Sequence, residues 1–279
     1  MGITMKIHNI KSTSDFTFEI PTAKGLYALT GENAAGKSTV ISCIATAFYS
    51  PLLYSYFGEP YNGSNIEFTY GEKKRFVKSQ NNHWFAPKGS LGISGFFEGS
   101  LVFGNRFKDI DFSLLKKLPK ISENKLDIAS PFIKENLGLI LHDDKSFYQE
   151  LFLTKKDAGT EYGLQRPTFY YKKNGKFVNQ LNMSTGENLL LTILYSMELR
   201  LKKRGKGQEA SFILLDEIEL ALHSSALRRL IHFLDRLSQD NNFVVLFSTH
   251  SIELIRSIPP ENIYYLQRHI DGSIELVNP

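Results

Sequence analysis

The chain has 279 residues, 42% hydrophobic and 22% charged, a balance that supplies a sizeable core and excludes wholesale disorder. Thirty-three Lys and Arg against 29 Asp and Glu leave a net charge of +4, which permits nucleic-acid contact without arguing for it. The single cysteine, Cys43, excludes an internal disulfide framework, and neither a signal peptide nor an apolar run of about 18 residues is present, so a cytoplasmic chain without membrane insertion is expected.

The first informative stretch is GLYALTGENAAGKSTVISCIATAF, Gly25 to Phe48. A short apolar strand leads into Gly31-Glu32-Asn33-Ala34-Ala35-Gly36-Lys37-Ser38, a complete G-x-x-x-x-G-K-[ST] phosphate loop. Val40, Ile41, Ile44 and Ala45 then supply the apolar stripe of a helix. The glycines let the backbone curl so that N–H groups point at phosphate oxygens, and the helix start adds its positive end. Lys37 is predicted to reach the β- and γ-phosphates, Ser38 to place a hydroxyl on Mg²⁺, and Thr39 to contact the α-phosphate. The structural alternative is a glycine turn that merely opens a helix. The full pattern in strand–loop–helix context argues against it.

Further along, Asn65 to Tyr70 and Arg75 to Ser79 are predicted to pair across a Gly71-Glu72 turn. Residues 85–165 are rich in Gly, Phe and Lys and carry no decisive motif. Asn124-Lys125-Leu126-Asp127 imitates a guanine-specificity motif, yet no apolar strand precedes it and no aspartate has a glycine three positions later. Asp109-Ile110-Asp111 and His142-Asp143-Asp144 are expected to be solvated surface and not metal sites. Thr168 to Asn179 is predicted to form two strands around an Asn174-Gly175 type I′ turn.

Ser184-Thr185-Gly186-Glu187 opens a long apolar helix and has the S-x-x-E spacing of an ordinary capping box, which by itself is the favoured explanation. Ser211 to Glu217 is a nearly all-apolar strand up to its last two residues, as in the middle of a parallel sheet covered on both faces. It ends in Asp216-Glu217, where ligands bind in open α/β sheets. Asp216 suits a Mg²⁺-water ligand, and Glu217 a base for the attacking water. A helix-capping role explains neither the strand nor the second acid. Phe243 to Ser251 is a second buried strand, delivering Thr249-His250-Ser251 at its end, and a last hairpin is predicted around Asp271-Gly272. Three basic clusters remain: Lys73-Lys74-Arg75, Arg228-Arg229 and Lys202-Lys203-Arg204-Gly205-Lys206. The last is either a DNA or RNA contact or a solvated linker.

In this order, phosphate loop, S-x-G-E helix start, strand ending in Asp-Glu and strand ending in Thr-His-Ser resemble the ABC-type ATPase superfamily. Within it the chain is similar to the RecF, SMC and OLD-like branch. Asp216 to His223 matches the D-E-x-E-x-x-L-H run, and Thr249 to Leu254 the T-H-S-x-x-L switch. The resemblance covers residues 1–50 and 168–270. It implies an α/β P-loop NTPase head with a mixed or parallel central sheet, N-terminal antiparallel strands and one domain over 1–279, with residues 85–165 inserted. It implies ATP and Mg²⁺, and a homodimer that sandwiches two ATP molecules. Gly31 to Thr39 of one head would hold each nucleotide. Ser184, Gly186 and Glu187 of the other would close on its γ-phosphate. Lys37, Glu217 and His250 would be catalytic, and Ser38, Asp216 and a sensor glutamine, Gln80, would surround the Mg²⁺. A polar residue leaving an edge hairpin is an equal explanation of Gln80. Thr185 departs from the glycine of transporter signatures, which bears on hydrolysis rate more than on binding.

The 147 positions from Lys37 to Ser184 contain no sustained heptads, so no coiled-coil arm is expected. The 29 residues after His250 suffice for a hairpin and not for the nuclease domain of OLD-like proteins. A separate effector protein, such as a nuclease or toxin in anti-phage defence, or DNA or RNA, is therefore the expected partner. The alternatives are a transporter cassette, disfavoured by the missing L-S-G-G-Q, and a non-hydrolysing ATP sensor.

Overall fold

The computed structural model describes residues 2–81, 83–86, 91–99, 116–164, 166–203 and 211–277. In chain order the strands are β1 (Ile3–Ile10), β2 (Thr13–Ile20), β3 (Gly25–Gly31), β4 (Asn65–Tyr70), β5 (Lys73–Gln80), β6 (His83–Phe85), β7 (Ser94–Gly99), β8 (Leu126–Ile128), β9 (Leu151–Thr154), β10 (Phe169–Lys173), β11 (Lys176–Asn179), β12 (Ser211–Asp216), β13 (Phe243–Ser248), β14 (Ile263–Arg268) and β15 (Ile274–Val277). The helices are α1 (Lys37–Ala45), α2 (Leu52–Ser55), α3 (Pro131–His142), α4 (Lys156–Tyr162), α5 (Thr185–Lys203), α6 (Ser224–Asn241) and α7 (Ile252–Ile255).

The chain divides into two compact units. The first comprises Met1–Gly99, Gly205–Ile218 and Leu234–Pro279. It holds a five-stranded antiparallel sheet, β2-β1-β4-β5-β6, and a six-stranded sheet, β15-β14-β3-β13-β12-β7. In the latter every pairing is parallel except β14 with β15 at the edge. Strands β3, β12 and β13 are buried along their whole length, which is why each is almost entirely apolar. Their register sets Asp216 opposite Ser248 and Ser248 opposite Leu29, so β12 and β13 end two residues before β3 runs into the phosphate loop at Gly31. In the five-stranded sheet alternate side chains turn opposite ways. Met5, Ile7, Ile66, Phe68, Val77 and Trp84 are buried, whereas Lys6, Lys74, Phe76, Lys78 and Phe85 are exposed.

The second unit comprises Ser100–Arg204 and Glu219–Phe233. Its four-stranded antiparallel sheet runs β11-β10-β9-β8, and α3 packs against α5. Asn174 (φ 50°) and Gly175 (φ 74°) form the predicted type I′ turn. Ser130 caps α3, its hydroxyl accepting from the Ile133 N–H at 3.3 Å. Asn124 lies in a short 3₁₀ turn before β8, its side chain accepting from the Ser122 hydroxyl.

The unit boundary differs from the predicted 85–165 insertion. The first unit continues to Gly99 because β7 joins β12 in parallel, and the second takes in the helix that Ser184 opens. Strand β7 was hidden in the sequence by its glycines. Gly99 stands opposite Asp216, and a Cβ there would lie 2.6 Å from the aspartate's own Cβ.

Candidate nucleotide site

The phosphate loop is shaped by close backbone approach. Gly31 has φ +145°, and a Cβ on it would fall 2.3 Å from the Leu266 carbonyl oxygen of β14, so only glycine fits. Ala34 is left-handed at φ 62°, and Gly36 (φ 98°) precedes the first turn of α1. The buried Lys37 ammonium folds back over its own loop and donates to the carbonyls of Gly31 (3.0 Å) and Glu32 (2.8 Å). Glu32 and Asn33 are exposed and Ala35 is buried. From the opposite side Arg268 of β14 donates to the Ala34 carbonyl at 3.2 Å, to the Ser12 hydroxyl at 3.0 Å and to the Ser12 carbonyl. Nothing in the residues around Arg268 marks it for this role.

Asp216 is 1% exposed at the end of β12. Its Oδ1 accepts from the Ser38 hydroxyl at 3.1 Å and from the Ser248 hydroxyl. The Ser248 hydroxyl in turn accepts from the Glu217 N–H at 3.1 Å. Glu217 is left-handed (φ 50°), so the chain turns sharply as it leaves the sheet. Thr249 is buried and donates its N–H to the Leu29 carbonyl at 3.1 Å, and exposed His250 follows. Glu217 and His250 thus leave neighbouring strands at the same end of one parallel sheet, the end that carries the phosphate loop. Serine and carboxylate oxygens are hard donors of the kind Mg²⁺ takes, so Ser38 and Asp216 fit the ion as a pair. Lys37 and the start of α1 fit a polyphosphate.

Gln80 does not join them. It ends β5 in the other sheet, exposed and opposite His83, and the strand that ends beside Asp216 is β7.

In the second unit Ser184 and Glu187 form a capping box. Glu187 Oε2 accepts from the Ser184 N–H (2.8 Å) and hydroxyl (2.7 Å), and that hydroxyl accepts from the Glu187 N–H at 3.3 Å. The other carboxylate oxygen accepts from the Tyr148 hydroxyl at 2.6 Å, and Tyr148 also meets His142 Nε2 at 3.1 Å. Burial pulls the Glu187 pKa up, but the hydrogen bonds from Tyr148 and Ser184 outweigh it and hold the carboxyl below its ordinary value. Burial first, then the Glu187 bond, push the Tyr148 phenol well up. Burial lowers His142. Gly186 is buried, and a Cβ there would lie 2.8 Å from the Ala221 carbonyl oxygen. These residues line an open cleft of about 890 Å³ together with Tyr171, Lys173 and His223.

Other sequence candidates have local structural duties. His142 stacks on Phe147 with centroids 3.7 Å apart, Asp143 (φ 58°) ends α3, and Asp144 accepts from the Ser146 N–H and hydroxyl. Arg229 donates to the carbonyls of Ile140 and Leu141, and Lys202 pairs with Glu198 at 3.0 Å. Asp109, Asp111 and Arg204 to Lys206 lie outside the described residues. No helix among the described residues is long and apolar enough to cross a membrane.

The family described as "AAA domain, putative AbiEii toxin, Type IV TA system" matches residues 117–256. No curated protein matches the chain. A solved SMC head bound to the C-winged helix domain of ScpA is 15% identical, with a TM-score of 0.57 over 98% of this chain and 96% of that one. An Smc head domain with an extended coiled coil, bound to the C-terminal domain of ScpA derived from Pyrococcus furiosus, is 12% identical, with a TM-score of 0.52 over 98% and 95% of the two chains. At such identity the likeness is one of fold, and it agrees with the expected ABC-type P-loop head. With just over half of its length matched, the chain belongs to this AAA family, built on an SMC-head-like P-loop ATPase fold.

Proposed function

We propose that this chain hydrolyses ATP, closes on it as a homodimer and passes the cycle to a separate macromolecule. The observation that carries the proposal is the hydroxyl–carboxylate chain Ser38–Asp216–Ser248–Glu217 at the mouth of the phosphate loop. Loop N–H groups and the Lys37 ammonium bind the β- and γ-phosphates, for which Lys37 gives up its two loop carbonyls. Bound Mg²⁺ would supply charge neutralisation at the phosphate oxygens, with Ser38 and Asp216 holding it. Glu217, fixed by its N–H on Ser248, orients the attacking water and takes its proton, and His250 contacts the γ-phosphate.

For the dimer, the support is the start of α5. A helix N-terminus carries about half a positive charge, which favours a triphosphate over a diphosphate. Ser184 and Gly186 would meet the nucleotide held by the partner subunit. The family's description, with its toxin and toxin–antitoxin terms, and the ScpA-bound SMC heads both fit an ATPase that works through another protein. Glu217→Gln tests the assignment. Wild type should release phosphate while the variant accumulates as an ATP-bound dimer on size exclusion; equal phosphate release from both would remove Glu217 from the mechanism.

A further inference from the structure

The outward face of the five-stranded sheet carries an arrangement that the ATP site does not use. On β5, Lys74, Phe76 and Lys78 alternate with Arg75 and Val77 and all three are exposed. On β6 the outward residues are His83 and Phe85, flanking buried Trp84. The register places Lys78 directly opposite Phe85, so Phe76, two residues away on the same face, is its diagonal neighbour. Diagonal neighbours on a sheet face are about 7–8 Å apart, near enough for rings to present adjacent flat surfaces. Phe76 is 44% and Phe85 48% exposed, and neither ring stacks on another among the described residues.

Charge is distributed unevenly across this face. At the β2 edge Asp15 pairs with His8 and Glu19 accepts from Thr4. Among the outward residues of β4, β5 and β6 the single acid is Glu67, opposite Lys6 by register. Lys6, Lys74 and Lys78 have no ion pair among the described residues. Two exposed rings set among unpaired ammonium groups suit a ligand with flat apolar faces joined by regularly spaced negative charges.

We infer that this face binds single-stranded nucleic acid, with Phe76 and Phe85 stacking on bases and Lys74, Lys78 and Lys6 contacting phosphates. An aromatic ring stacks on any base, so the surface is tolerant of sequence. In a duplex the base faces are covered, so the rings favour single strands. An acidic protein would use the lysines but would have no need of two bare rings. The inference is independent of the ATP cycle, since none of these residues touches the phosphate loop or Asp216.

The test is fluorescence anisotropy of the full chain with labelled oligo-dT and oligo-U, against a duplex of equal length and against polyglutamate, all without nucleotide. Single strands should bind, and the logarithm of affinity should fall against the logarithm of salt with a slope of about −2 for three phosphate contacts. Replacing both rings (Phe76→Ala with Phe85→Ala) should weaken binding by tenfold or more, roughly one good stacking contact or better. The conservative pair Phe76→Tyr with Phe85→Tyr should retain it, which excludes a loss of fold as the cause. Lys74→Ala with Lys78→Ala should flatten the salt slope. The inference is overturned if no single strand binds, if the ring variants bind like wild type, if the duplex binds as well as the single strand, or if polyglutamate binds with the same dependence on the rings.

Discussion

Removing Arg268 should loosen the phosphate loop without touching the chemistry. Its guanidinium joins the loop at the Ala34 carbonyl to the β1–β2 turn at Ser12, residues 234 and 256 positions away in sequence. Ala34 needs such support, since a left-handed alanine is strained by about 1–2 kcal/mol. Hydrogen bonds to a charged donor contribute about 1.5–3 kcal/mol when buried, and less where solvent reaches the guanidinium, as it does here. Taking about 1 kcal/mol for the Ala34 bond, Arg268→Ala should raise the Kd for a non-hydrolysable ATP analogue about fivefold. Once nucleotide is bound the loop is held by phosphates, so kcat at saturation should change little. Arg268→Lys can keep one of the acceptors and should fall between. Calorimetric titration gives Kd, and steady-state phosphate release gives kcat. Unchanged affinity in Arg268→Ala, or a loss of kcat with affinity intact, would refute the idea that this residue shapes the loop.

Two further predictions follow from contacts already described. Tyr148→Phe removes one of the bonds that hold Glu187 ionised and should destabilise the chain by about 1 kcal/mol at pH 7 in urea unfolding followed by circular dichroism. Because the folded Glu187 pKa lies below its ordinary 4.5, the stability it contributes is present above that value and is lost as pH falls through the lower folded one. The gap between wild type and Tyr148→Phe should therefore narrow below pH 4.5; a gap that is constant with pH would show that the bond to the carboxylate is not its source. Gly31→Ala should abolish nucleotide binding and lower the melting temperature together, because the new Cβ meets the Leu266 carbonyl at 2.3 Å. A variant with wild-type melting would contradict that packing.

What the sequence made legible is what is contiguous. The phosphate loop, the buried β12 and β13, the Asn174-Gly175 turn and the closing hairpin each consist of a few adjacent residues whose types dictate a local conformation. The residues that complete the site do not. Ser248 reaches Asp216 across 32 positions, and Arg268 reaches Ser12 across 256. Nothing local marks either as more than a serine ending a strand and an arginine in a terminal hairpin. Strand β7 was illegible for the opposite reason, since its glycines read as loop while the structure uses the small size of Gly95 against Phe48 and of Gly99 beside Asp216. The exposed rings of β5 and β6 became a surface only when the register put Lys78 opposite Phe85.

Ser184-x-x-Glu187 is a different case, because both explanations need the same residues. A capping box and a γ-phosphate contact each require a hydroxyl at the helix start, and the fold satisfies the first completely. That satisfaction bears on the second. The Ser184 hydroxyl now donates to Glu187, so a phosphate from a partner subunit must compete with that carboxylate for it. Tyr148 sharpens the competition, because its bond to the other oxygen keeps Glu187 charged and in place. Gly186 is likewise spoken for by the Ala221 carbonyl, so a side chain there would disturb packing before it met any ligand. A loss of dimerisation in Gly186→Ala would consequently say little about phosphate contact. Ser184→Ala would say more only with its melting temperature beside it. It removes the contested hydroxyl and, with it, the cap bond from the Glu187 N–H, and leaves the Ser184 main-chain N–H on Glu187. A loss of dimerisation at wild-type melting would point to the phosphate contact, and a loss that tracks melting to the cap.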